Sequence, residues 1–363
     1  MRNRRSREAW QQSLARSTSD AFVLAKLFNL DADALLDVTE RYPFRITPYY
    51  LSLIKKQGDP IWRQCIPDPA ELFDSAGSPD PLCEEGLSPL PGLIHRYPDR
   101  VVWLVSNECP VYCRFCMRKR MVGCGNAETS SGQRKAALGY IASTPAIRDV
   151  VLSGGDPLLL DDDDLAEILT ELRRIPHVEI IRIGSRVPVT LPRRITPKLC
   201  RLLKQFHPIY LNTHFNHSLE ITSESARACA MLADAGIPLG NQTVLLKGVN
   251  DDPAIMKDLM INLLRIRVKP YYIHQMDLVR GTGHFRTPVS TGIAVMEALR
   301  GHVSGLATPY FVVDLPGGNG KVPLLPDTIR REGDTLQIRN YLGTVTEYPD
   351  LPSMPVAICA ELG

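Results

Sequence analysis

From residue 100 onward the chain alternates short β-branched apolar runs with stretches of helical spacing, and this alternation restricts the fold more than any other feature. The strand candidates are Val101–Val105, Val150–Ser153, Ile180–Gly184, Ile209–Thr213, Leu239–Leu246 and Pro270–Gln275, with a further run at Pro309–Asp314. The segments between them are long enough for helices, and Asp164–Ile175 and Ser223–Ala235 have helical spacing. Repeated strand–helix units imply a parallel sheet. Six of them suggest an α/β fold, a partial (β/α)6 barrel. Ligands in such a fold bind at the C-terminal ends of the strands. The conspicuous residues obey that rule: Cys109, Gly154-Gly155-Asp156, His214, Gln242 and Asp277 each end or follow a strand candidate. Asp314 ends the further run, just ahead of Gly317-Gly318-Asn319-Gly320-Lys321.

The first strand candidate leads into Asn107-Glu108-Cys109-Pro110-Val111-Tyr112-Cys113-Arg114-Phe115-Cys116, so three cysteines share one short loop. Three thiolates there can hold three irons of a four-iron cluster and leave the fourth open to a ligand. A tetrahedral zinc site wants a fourth ligand. Cys124 is available for that, but the run lacks the second cysteine pair of a zinc ribbon. Nine cysteines fit a reducing cytoplasm better than a disulfide framework. A formal charge of +2 gives no electrostatic case for nucleic acid. No apolar run reaches membrane-spanning length, so no membrane partner is expected. The basic start, Arg2-Asn3-Arg4-Arg5, lacks the apolar core of a signal peptide.

Ahead of the barrel, Ala21–Phe28 and Ala32–Val38 have helical spacing, with Asp31 a candidate N-cap of the second. Residues 61–92, rich in Pro, Asp, Gly and Ser, read as an extended connection over the surface. The division expected is a helical arm and linker at 1–92, a barrel at 93–300 and a C-terminal segment at 301–363. Taken singly, the remaining motifs are weak. Gly154-Gly155 lets a ligand approach the backbone, yet such a turn is usually just a turn. The glycine loop before Lys321 fails the P-loop spacing. Its lysine is either ordinary or presented for a Schiff base. Arg96, Tyr97 and Arg100 grip a phosphate or form a surface turn. Asp277 and Asp314 need partners at strand ends, whether an arginine or a cationic ligand.

Taken in order, the motifs are more specific. The cysteine run with Arg118-Lys119-Arg120 resembles the radical S-adenosylmethionine (SAM) superfamily and, within it, the lysine 2,3-aminomutase family. Residues 92–321 follow that family's sequence of motifs: Arg96-Tyr97-Pro98-Asp99-Arg100, the cysteines, Ser153-Gly154-Gly155-Asp156-Pro157, Leu211-Asn212-Thr213-His214, Asn241-Gln242, Tyr271–Asp277, Gly283–Pro288 and Asp314–Lys321. The resemblance implies an isomerase using a [4Fe–4S] cluster, SAM and pyridoxal 5′-phosphate (PLP) to interconvert L-lysine and β-lysine by 1,2-amino migration. It implies Cys109, Cys113 and Cys116 as cluster ligands. Gly154, Gly155, Asp156, His214 and Gln242 are implied as SAM contacts, and Phe115 is a candidate to stack on adenine. Lys321 would be the lysine that carries PLP, with Arg96, Tyr97 and Arg100 at its phosphate. Arg118 would take the substrate carboxylate, while Asp277 and Asp314 bracket its ε-ammonium. Two carboxylates facing one ammonium favour lysine over glutamate.

The resemblance further implies an electron donor such as a flavodoxin or ferredoxin, and a homodimer or higher homo-oligomer. Better-known members of the family carry a zinc site, from a cysteine after the Gly-Val-Asn-Asp turn and a cysteine group in the tail. Here Asp252 follows Gly248-Val249-Asn250-Asp251 and the tail offers Cys359, so no zinc is expected. The competing readings are β-lysine formation for attachment to a translation elongation factor, arginine as the substrate and, from another class, a structural zinc module that binds RNA.

Overall fold

The computed structural model describes residues 8–74, 76–123, 131–333 and 335–349. The N-terminal arm is helical where apolar spacing predicts it, with helices Ala21–Phe28 and Ala32–Arg41. The Asp31 carboxylate caps the second by accepting from the N–H groups of Asp33 and Ala34. A recurring start signal explains many of the chain's prolines. Thr47-Pro48, Asp59-Pro60, Thr196-Pro197 and Asp252-Pro253 each pair a capping side chain with a proline at the first helical position. Proline suits that place because its missing N–H has no intrahelical acceptor there. The prolines thus open helices as well as separate elements, and Asp252 spends its carboxylate on the N–H of Ala254.

A nine-stranded sheet forms the body of the molecule. Its strands are β1 (Leu93–Tyr97), β2 (Arg100–Ser106), β3 (Asp149–Gly154), β4 (Ile180–Gly184), β5 (Ile209–Thr213), β6 (Leu239–Leu245), β7 (Lys269–Gln275), β8 (Tyr310–Asp314) and β9 (Lys321–Pro323), paired in that order. β2 to β8 are parallel and are joined by six crossovers through helices Ser131–Ala142, Asp162–Arg173, Pro197–Leu203, Ser223–Asp234, Pro253–Arg265 and Val289–Leu299. β1 and β9 are antiparallel additions at the two edges. This is the expected partial barrel. The sheet does not stop at residue 300, however. β8 and β9 continue it, so Lys321 is part of the barrel wall.

The two faces of the sheet differ. On β2, Val101, Trp103 and Val105 are buried while Val102, Leu104 and Ser106 are half-covered. β6 alternates likewise, with Leu239, Asn241, Thr243 and Leu245 buried and Gly240, Gln242 and Val244 half-covered. The buried set packs under the crossover helices in one core with residues such as Leu165, Leu169 and Leu172. The half-covered set lines the inside of the curl. A parallel sheet normally buries both faces; here the inner face stays partly open.

Residues 61–92 are not a surface connection. Helix Pro60–Cys65 and the turn Pro69–Leu72 occupy part of the stretch, and Glu71, Leu82 and Glu84 are buried. Its Pro/Asp/Gly composition predicts irregular backbone, but the carboxylates turn inward because buried arginines need partners. Beyond the barrel, β10 (Ile329–Glu332), β11 (Thr335–Arg339) and β12 (Val345–Pro349) form a separate antiparallel sheet. Among the described residues no helix is long and apolar enough to cross a membrane.

Candidate functional site

The cysteine loop is held from below by the N-terminal arm. Tyr112 donates its N–H to the carbonyl of Arg45, and Arg114 donates its N–H to the carbonyl of Gln64, each at 3.0 Å. The guanidinium of Arg114 forks onto Glu71 at 2.8 and 2.5 Å, and Lys119 donates to the same carboxylate at 2.5 Å. Burial works to raise the Glu71 carboxyl, but its two cationic partners outweigh it and hold the pKa low. Burial and the neighbouring Arg114 charge push Lys119 down to about 8.

Gly154 and Gly155 meet this loop from the other side. Gly155 donates its N–H to Ser106 at 2.5 Å, and Asp156 donates to Glu108 at 2.7 Å. A Cβ on Gly154 would sit 2.0 Å from the Ser106 carbonyl oxygen, and one on Gly155 would sit 2.4 Å from that of Glu108. The glycines are therefore required first by the chain itself, where two strand-end loops close on each other. The Asp156 carboxylate is also engaged. It accepts from Ser185 Oγ at 2.7 Å and from the N–H groups of Arg186, Val187 and Leu158. These bonds tie Asp156 to the cysteine loop and to the turn after β4.

Desolvation raises the Cys109 thiol well above its ordinary range, reinforced by Asp156 and by the thiols of Cys116 and Cys113. Desolvation and Cys113 push Cys116 up to about 11. Thiols that disfavour one another's ionisation this way suit a positively charged metal group. Among the described residues no three His, Cys, Asp or Glu side chains converge on a single ion site. A four-iron cluster does not need that, because each thiolate binds a different iron. Cys124 and Cys359, the cysteines considered for zinc, lie outside the described residues.

Phe115, between the second and third cysteines, packs edge-on to His214 and Phe285 at centroid distances of 5.6 and 6.2 Å. Burial and the charge of Arg186 hold His214 well below the usual histidine range, so its ring is neutral. His214 pairs with the Asn216 side chain at 3.1 Å. Gln242 lies on the inner face of β6, directly across from Tyr272 on β7.

Lys321 closes the far side. It is the register partner of Asp314 across the β8–β9 hairpin, and its ammonium donates to the Asp314 carboxylate. Lys321 Nζ is also 3.2 Å from His274 Nδ1, and it lies over the Tyr272 ring. Burial works to raise Asp314, but the hydrogen bond from His274 and the Lys321 ammonium bring it down to about 2. Burial and then the charge of Asp314 push Asp277 up to about 7. The two aspartates thus share one cationic centre. Arg96 approaches Asp314 at 3.5 Å and donates to the Leu82 carbonyl at 3.2 Å, while its Nε is buried without a partner among the described residues. Such an orphaned donor suits an anion such as the PLP phosphate. The Tyr97 hydroxyl accepts the Lys321 N–H and keeps its own hydrogen to donate. Arg100 stacks on the Tyr97 ring at 4.2 Å.

Three residues in this site carried no signal of their own in the sequence. His274 sits two positions from Tyr272 on β7, and the strand order β7–β8–β9 brings it to Lys321. Glu84 forks onto Arg118, the residue expected at the substrate carboxylate, at 3.0 and 2.7 Å. Arg186 donates to Cys113 Sγ at 2.7 Å, to Glu220 and Gln64 at 2.6 Å each, and lies over the Phe115 ring. The expected site residues come together in two groups, the cysteine loop with the β3 glycines, His214 and Phe115, and the Lys321–Asp314–Asp277–Arg96–Tyr97 cluster. Arg118 lies between them, and Arg100 stands outside at the β1–β2 turn.

A family profile described as radical SAM superfamily matches residues 103–259, and one described as lysine-2,3-aminomutase matches residues 296–359. An L-lysine 2,3-aminomutase of Fusobacterium nucleatum is 51% identical over 346 residues, 94% of this chain and 81% of that protein. One of Acetoanaerobium sticklandii is 54% identical over 309 residues, 84% of this chain and 75% of that protein. A glutamate 2,3-aminomutase of Clostridioides difficile is 44% identical over 353 residues, 96% of this chain and 83% of that protein.

Proposed function

The chain belongs to the lysine 2,3-aminomutase family of the radical SAM superfamily, and from that premise we propose that it interconverts L-lysine and β-lysine by moving an amino group between adjacent carbons. The observation that carries the substrate is the ammonium of Lys321 held against Asp314, with Asp277 close enough for the Asp314 charge to raise it. A primary ammonium on a flexible alkyl stem already occupies that place. When Lys321 is committed to PLP, the same carboxylates are free for the ε-ammonium of a substrate. A glutamate side chain would instead put a third carboxylate there.

Cys109, Cys113 and Cys116 hold the cluster, and the mouth formed by Gly154, Gly155, His214, Gln242 and Phe115 holds SAM. Arg96 and Tyr97 hold the PLP phosphate, Arg100 braces Tyr97, and Lys321 carries PLP. Bound there, the cluster with SAM supplies hydrogen-atom abstraction and PLP supplies a conjugated ring that spreads an unpaired electron. The chain's own residues do the rest. Arg118 and Ser153 anchor the carboxylate end of the substrate, and Asp277 and Asp314 anchor the ammonium end. Two fixed ends leave the middle carbons little freedom, which favours one reacting geometry.

A one-electron donor such as a flavodoxin or ferredoxin would reduce the cluster in the cytoplasm. The catalytic unit runs from the arm through Pro323. Exposed Tyr341, Leu342, Val345 and Tyr348 support a homodimer through the C-terminal sheet. The test is anaerobic incubation of reconstituted protein with SAM, PLP, reductant and each of lysine, arginine and glutamate, followed by chiral separation. β-Lysine from lysine alone is the expected result. β-Arginine or β-glutamate would keep the reaction class and overturn the substrate.

A further inference from the structure

The segment from Ser78 to Leu90 is tied to three walls of the site. Ser78 donates its N–H to Leu278 at 2.8 Å and accepts from Arg280 at 3.0 Å, on the loop after β7. The carbonyl of Pro81 accepts from Gly317 at 2.8 Å, on the glycine loop. The carbonyl of Leu82 accepts from Arg96 on β1. Glu84 sits in the middle of this strap, its side chain only 6% exposed, and its backbone carbonyl accepts from Ser88 Oγ at 2.7 Å.

Glu84 takes the side edge of the Arg118 guanidinium, Oε2 accepting from Nε at 3.0 Å and Oε1 from Nη2 at 2.7 Å. Arg118 Nη1 donates to Ser153 Oγ at 3.2 Å, on the half-covered face of β3. A guanidinium has five N–H donors in a rigid fork. Three are used among the described residues, and the two that remain belong one to each terminal nitrogen. A second carboxylate can therefore bind end-on without displacing the first.

We propose that Glu84 is a positioning residue for the substrate's α-carboxylate: it holds the Arg118 guanidinium by its side edge so that the end edge, steadied by Ser153, receives the carboxylate. This rests on the reading that the substrate is lysine and that Arg118 takes its carboxylate. Without Glu84, Arg118 would lose side-chain freedom at each binding event, and would stand buried beside the cysteine loop with an uncompensated charge.

The test uses the protein carrying its cluster and PLP, without SAM or reductant so that no turnover occurs. L-Lysine and 1,5-diaminopentane, which keeps both nitrogens and lacks the carboxylate, are titrated calorimetrically into the wild type, Glu84→Gln and Ser153→Ala. The wild type should prefer lysine. Glu84→Gln should lose about tenfold or more in lysine affinity while 1,5-diaminopentane changes by less than about twofold, as expected for a charge-assisted fork. Steady-state KM for lysine should rise with kcat little changed. Ser153→Ala, which leaves the ion pair intact, should show a smaller loss confined to lysine, and serves if Glu84→Gln does not fold. Equal weakening of both ligands would reduce Glu84 to a structural role. Tighter lysine binding by Glu84→Gln would make Glu84 a competitor for the fork; either result overturns the proposal alone. A wild type that does not distinguish the two ligands overturns the underlying reading of Arg118 as well.

Discussion

The hydroxyl of Tyr97 accepts a hydrogen bond of 2.9 Å from the backbone N–H of Lys321. Tyr97 ends β1 and Lys321 begins β9, the two edge strands of a sheet whose order never brings them together as neighbours. The contact marks where the curl closes, and it places the lysine at the end of the strand that carries Arg96. A PLP-carrying lysine and a phosphate-binding arginine need that proximity.

Lys321→Ala should abolish turnover and the visible PLP absorbance while leaving the iron content unchanged. Asp314 would lose its ammonium partner, and its pKa should climb from about 2. Full activity in this variant would remove the PLP assignment.

Cys113→Ala should lose the cluster, read as iron and sulfide per chain. It would also deprive the Arg186 guanidinium of the sulfur at 2.7 Å. An unchanged iron count would return the cysteine loop to the zinc reading.

Asp314→Asn should raise KM for lysine by roughly two to three orders of magnitude, the scale of removing one partner from a buried charge pair. Its melting temperature should move much less than its kinetics. Unaltered kcat and KM would eliminate the ammonium clamp.

Lysine binding should weaken as the pH falls through 7. The Asp277 carboxyl is raised to about 7 by burial and by Asp314. Its anionic form, which an ammonium ligand needs, is therefore lost just below neutrality. The drop should approach about tenfold per pH unit, the limit for one proton. Asp277→Asn should flatten the profile between pH 6 and 8; an unchanged slope would locate the titration elsewhere.

Gly155→Ala should destabilise the protein by about 1–3 kcal/mol or more, because its Cβ would meet Glu108 backbone atoms at 2.4 and 2.6 Å. Backbone on both sides cannot yield as a side chain would. Thermal unfolding and iron content should fall together. A variant with wild-type stability and iron would mean that the loops separate freely.

The strand–helix alternation, the three cysteines on one loop and the ordered motifs were legible along the chain, since periodicity and local spacing are properties of neighbouring residues. So were most strand bounds, the Asp31 cap and the identity of the residues at the strand ends. Only the tertiary structure decided which of these residues meet. Lys321 reaches Tyr97 because the sheet curls, and His274 because β8 alone lies between β7 and β9. Glu84 reaches Arg118 because a segment that composition describes as a surface linker turns its carboxylates inward toward buried arginines. Gly154 and Gly155 proved necessary for a contact between two loops, which no local signal distinguishes from contact with a ligand. Spacing constrains what a short stretch can become, but partners tens or hundreds of residues apart are set by packing and by the cost of leaving a buried charge alone.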